Sequence, residues 1–106
     1  MLVVLTDSTW KGKRFRVSFF TNGVKALRTV NFGSKKGKTY IDHQDATKKK
    51  NWIARHSKLN ENWDASGIDT AGFWSRWLLW SKDTKEKAIK HIENKFNVNI
   101  VHANEV

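Results

Sequence analysis

Between Ser8 and Ile41 the chain carries nine lysines and arginines and no carboxylate. Such side chains contact phosphate oxygens and release the counterions gathered around a polyanion. The basic set comprises Lys11, Lys13, Arg14, Arg16, Lys25, Arg28, Lys35, Lys36 and Lys38, then Lys48, Lys49, Lys50, Arg55 and Lys58. Residues 1–58 hold fourteen Lys/Arg against three Asp/Glu, and residues 59–106 hold six against seven, so the net charge of +10 resides in the first half. Concentrated like charge opposes compaction unless an anionic partner offsets it, and nucleic acid is the partner this pattern points to. No recognition-helix or ribonucleoprotein signature accompanies the basic residues. Phosphate-backbone contact with little base readout is therefore the expectation. The loop Gly33-Ser34-Lys35-Lys36-Gly37-Lys38 offers main-chain amides to a phosphate, but its spacing matches no P-loop.

Other residues suggest other chemistry. Arg76 lies between Trp74 and Trp77 on the most apolar stretch of the chain. A guanidinium there either pairs with a carboxylate (Asp64, Asp69 or Asp83 being in range along the chain) or meets a ligand. The ion pair is the leading expectation. Of the six tryptophans, Trp52, Trp74, Trp77 and Trp80 fall at core spacing, whereas Trp10, beside Lys11 and Lys13, is placed to stack on a base. Asp42-His43, Asn51 and His56 follow the order of a His-Asn-His nuclease centre, which makes a metal-dependent nuclease the enzymatic alternative. Their spacing is short for it. No Ser-His-Asp set and no nucleotide fingerprint can be assembled, so the chain reads as non-enzymatic, with no cofactor and no metal. Cysteine is absent, which excludes disulfides and thiolate metal sites.

The elements that must position these residues form an α+β domain. At 106 residues the chain fits one domain with one core, a basic β-rich half over 1–44 and a helical half over 45–106. Residues 2–5 are a short apolar strand, too short for a signal-peptide core. Phe15, Val17 and Phe19 alternate with Arg14, Arg16 and Ser18, the period of a half-buried strand. Thr21-Asn22-Gly23 turns the chain into a strand over 24–32, with Val24, Ala26, Val30 and Phe32 inward. Thr39-Tyr40-Ile41 continues as a further strand, giving a small antiparallel sheet of three to four strands. Three helices then follow. The first spans 46–58 from an Asp45 cap, with Trp52, Ile53, His56 and Leu59 on its apolar side and Lys48, Asn51, Arg55 and Lys58 opposite. Trp63 folds back onto the core from a loop. The second helix, 71–81, is capped by Asp69 or Thr70 and is the buried one. The third, 84–96, starts at Asp83 with Glu86 three residues on and buries Ile89, Ile92 and Phe96. Val98, Ile100 and His102 alternate as a short closing strand. No run is long and apolar enough to cross a bilayer.

One segment carries a resemblance. Thr70-Ala71-Gly72-Phe73-Trp74-Ser75-Arg76-Trp77-Leu78-Leu79-Trp80, preceded by Arg55-His56 and Glu61-Asn62-Trp63, resembles a family of small basic proteins of unknown function from large DNA viruses. Phe32-Gly33 and Tyr40-Ile41-Asp42-His43 extend the likeness to about residues 30–96. Departures fall in the loop between Trp63 and Thr70, at Phe73-Trp74, and at Asp83, where the family carries Pro. The resemblance implies a viral protein inside the infected cell or its particle, and no activity. Two functions follow as expectations. The first is a non-enzymatic nucleic-acid-binding protein, with DNA ahead of RNA, and the second a minor capsid or core protein contacting other virion proteins. Neither involves a membrane.

Overall fold

Phe15, Val17 and Phe19 are all buried while their neighbours remain half-exposed, so the alternation read in the sequence is a strand with one covered face. That strand, β2 (Lys13–Phe20), lies between β1 (Leu2–Asp7) and β3 (Arg28–Ser34), antiparallel to both. The computed structural model describes residues 1–20 and 27–103. Lys25, the Thr21-Asn22-Gly23 turn, Val24 and Ala26 lie outside the described residues. The closing strand β4 (Asn99–His102) adds to the free edge of β1 in parallel, so the sheet is mixed, in the order β3-β2-β1-β4. A parallel neighbour requires a long crossover, and the helices between β3 and β4 supply it.

Thr39-Tyr40-Ile41 does not extend the sheet. It opens α1 (Tyr40–His43) because Asp42 turns back on Thr39, accepting from its N–H at 2.8 Å and its hydroxyl at 2.9 Å. That local closure outcompetes the strand propensity of Thr, Tyr and Ile. The next helix, α2 (Ala46–His56), begins as expected, with Asp45 Oδ1 accepting from the N–H groups of Thr47 and Lys48. It ends at His56. Asn60 then adopts φ 58°, and the turn leaves Leu59 61% exposed instead of joining Trp52 in the core.

The buried helix also departs from a straight α-helix over 71–81. A short α3 (Ala71–Trp74), capped by the Thr70 hydroxyl, runs straight into a π-helical turn over Ser75–Leu79. The wider turn lets Trp74, Leu78, Leu79 and Trp80 all be buried. Finally α4 (Lys85–Phe96) is capped by Thr84, not Asp83, with the Thr84 hydroxyl accepting from Lys87 N–H at 3.1 Å. Ala88 and Ile92 are its buried stripe, with Ile89 and Phe96 half-buried beside them. Helices and sheet share one core, in which Phe19 and Phe32 meet Trp74 at ring separations of 6.2 Å. No helix among the described residues is long and apolar enough to cross a membrane.

Candidate nucleic-acid interface

The basic loop between β3 and α1 is held at both ends. Lys35 N–H donates to the Gly12 carbonyl in the β1–β2 turn, and Gly33 adopts φ 78°, a conformation that L side chains resist. A methyl group at Gly33 would also sit 3.1 Å from Leu79 Cδ1, so the loop leaves the sheet tight against the buried helix. At the far end Arg14 grips Asp42 through two parallel bonds of 2.6 and 2.7 Å. Hydrogen bonding from Arg14 holds the Asp42 carboxyl well below the usual carboxylate range, and the Thr39 contacts add to this against the cost of burial.

So fastened, the loop places Lys38 at the meeting point of three adjoining clefts. The first, about 330 Å³, is lined by Lys13, Ser34 and Lys38, all exposed, and by the less exposed Trp52, His56, Glu61 and Ser75. The second, about 490 Å³, adds Lys35, Arg14 and Asp42. The third, about 400 Å³, runs along α2 past His43, Lys48, Asn51 and Arg55. Lys13, Lys35, Lys38, Lys48 and Arg55 thus line three clefts that share Lys38, together termed the groove, and all five are exposed. None of the five takes part in an ion pair among the described residues.

The remaining basic residues are paired or lie outside the groove. Arg14 lines the groove, but its charge is matched by Asp42. Arg28 pairs with Asp69 at 3.2 Å on the surface. Arg16 is half-buried on the uncovered face of the sheet, between Thr6 and Asn31 in register. Lys11 and Lys36 are exposed beside the groove without lining it, and Lys50 and Lys58 are likewise exposed on and after α2. Lys49 donates to the Ser81 carbonyl at 2.6 Å and lies over the Tyr40 ring. Trp10 is 61% exposed on the turn that Lys35 ties to the loop.

The lining of the first cleft includes an arrangement that the linear sequence conceals. Glu61 accepts from His56 Nδ1 at 2.9 Å through one oxygen and from Trp63 Nε1 at 3.0 Å through the other. A carboxylate can only accept, so His56 carries its proton on Nδ1 and turns Nε2 away from Glu61. The imidazole stacks on Trp52 at 4.0 Å, and Trp52 stacks in turn on Trp80 and Trp63. Gly72 permits this: a methyl group there would lie 3.1 Å from the Glu61 carboxyl carbon. The two histidines of the nuclease reading are engaged separately, since His43 Nδ1 accepts from Asp45 N–H while His56 faces Glu61. Among the described residues no three His, Asp or Glu side chains converge as a metal site would require.

Arg76 overturns its own expectation. Among the described residues no carboxylate pairs with it; its Nη1 donates to the Trp80 carbonyl at 2.9 Å, and its guanidinium lies over Trp77 and Trp63. Asp69 is taken by Arg28 and Asp83 by Lys87.

A family model built on other sequences matches residues 3–56, more than half of the chain. The chain belongs to DUF5754, a family of unknown function. The matched segment spans β1 to α2 and so contains all five groove cations, while the π-helical turn and α4 lie beyond it. No curated protein and no solved structure matches the chain.

Proposed function

We propose that the protein binds nucleic acid non-enzymatically, contacting the phosphate backbone through the groove centred on Lys38. The observation that carries this reading is the convergence of Lys13, Lys35, Lys38, Lys48 and Arg55 from β2, the basic loop and α2, with no carboxylate paired to any of them among the described residues. Unmatched cations drawn together by a tied-down loop repel one another, and a backbone of regularly spaced phosphates removes that cost. On the resemblance to proteins of large DNA viruses, DNA is proposed ahead of RNA, with the infected cell or its particle as the setting.

Fluorescence anisotropy with labelled single- and double-stranded DNA and RNA tests the reading. Lys13→Glu with Lys38→Glu is expected to weaken binding at least about tenfold at physiological salt. Lys90→Glu, on α4 and away from the groove, is expected to change it less than about twofold. Equal loss in the two variants would mean that the affinity belongs to net charge and not to the groove.

A further inference from the structure

Arg76 has an unmet requirement that the groove does not explain. The side chain is half-buried, wedged 4.4 Å above the Trp77 ring and 5.6 Å from that of Trp63, and a single hydrogen bond, to the Trp80 carbonyl, satisfies one of its five N–H groups. Among the described residues its Nε and Nη2 have no partner, and they are not sealed from solvent. Further basic side chains stand around it. Lys95 lies over the same Trp77 ring at 5.2 Å, His91 packs 5.8 Å from it, and Lys49 and Lys82 are close enough to feel one another. Burial lowers the proton affinity of Arg76, Lys49 and His91 alike, with neighbouring cations contributing at the last two. Of the acidic side chains nearest in sequence, Asp69 pairs with Arg28 and Asp83 with Lys87, while Glu86 shares a surface cleft with Lys82, Lys90 and His91.

We propose that Arg76, with Lys49, Lys82 and Lys95 around it, is a second anion site that takes a phosphate-type oxyanion. A planar guanidinium held between two indoles is pre-oriented. Its free Nε and Nη2 edge matches two oxygens of a tetrahedral anion, which explains a guanidinium where a carboxylate partner was expected. None of the four residues lines the groove, so the site is separate from the interface proposed above and does not depend on it. The anion's source is either a free phosphorylated small molecule or a backbone phosphate of a nucleic acid that extends past the groove.

Titration calorimetry of the full chain with inorganic phosphate and with pyrophosphate, at constant ionic strength against chloride, tests the site. Saturable one-site binding is expected, reduced about tenfold or more in Arg76→Gln, the loss of a charge-assisted pair of bonds. Lys82→Ala with Lys95→Ala, both changes at exposed side chains, should weaken it several-fold even if Arg76→Gln fails to fold. Lys13→Glu with Lys38→Glu should leave it intact, so failure of the groove and failure of this site are separable. In that groove variant, residual binding of a DNA oligomer that disappears with Lys82→Ala and Lys95→Ala identifies backbone phosphate as the source. Phosphate binding with no oligomer binding identifies a free phosphoanion. Heats indistinguishable from chloride in the wild-type chain, or phosphate affinity unchanged by the Lys82/Lys95 double substitution, would overturn the proposal.

Discussion

Asp42 removes one cation from the groove and uses it as a fastener. Its carboxylate receives Arg14 from β2 and the Thr39 N–H and hydroxyl from the start of α1, so one side chain joins strand, loop and helix. Because Arg14 depresses its pKa in the folded state, its contribution to stability is fully present above the unfolded carboxylate value of about 4. That contribution is lost as pH falls below this value. Thermal melts of the wild type from pH 7 to pH 2 should therefore show a fall in Tm beginning near the unfolded pKa. Asp42→Asn should start lower at pH 7 and lose less over the same range. Parallel Tm curves for the two proteins would remove Asp42 from this role. The same residue marks the limit of arithmetic on charged side chains. Arg14 counts among the basic residues of the sequence, yet its pairing with Asp42 leaves the groove to the five cations that have no such partner.

At the scale of elements, the caps decide where helices begin, and one is checkable by a pair of substitutions. The Thr84 hydroxyl accepts from Lys87 N–H, whereas Asp83 sits one position earlier and its carboxylate makes an exposed pair with Lys87. Thr84→Ala is expected to cost about 1 kcal/mol in urea melts, and Asp83→Ala no more than a few tenths of a kcal/mol, in keeping with an exposed pair. The opposite ranking would return the cap to Asp83. This error of one position shows what sequence patterns convey. The alternation of Phe15, Val17 and Phe19 and the Asp45 cap were legible, because side-chain period and cap chemistry act over a few neighbouring residues. The strand expected at Thr39-Tyr40-Ile41 failed because its propensity competed with a Thr39–Asp42 closure equally present in the sequence. The π-helical turn was not legible, since it answers to the simultaneous burial of Trp74, Leu78, Leu79 and Trp80 against a sheet assembled from elsewhere. The His56–Glu61–Trp63 contact was hidden for a related reason: it exists only after Asn60 reverses the chain, and neither the helix period nor the motif order encodes that reversal.

For the whole molecule the question is whether the net charge of +10 acts as a diffuse field or through a defined set of contacts. A diffuse field would draw on all the cations, including Lys82, Lys87, Lys90 and Lys95 at the other end of the chain. A groove draws on five. Each phosphate contact contributes roughly −0.9 to the slope of log K against log salt on duplex and roughly −0.7 on single strands, so five contacts give slopes of about −4.5 and −3.5. Replacing Lys38, shared by all three clefts, with Ala should make the duplex slope shallower by about one unit, and Lys90→Ala should leave it unchanged. Trp10, exposed on the turn bound to the basic loop, adds a term of different character. Stacking on an unpaired base is insensitive to salt, so Trp10→Ala should lower single-strand affinity at every salt concentration without altering the slope. A slope that responds equally to Lys38→Ala and Lys90→Ala would mean that the fold disperses its charge and that the convergence on Lys38 has no bearing on binding.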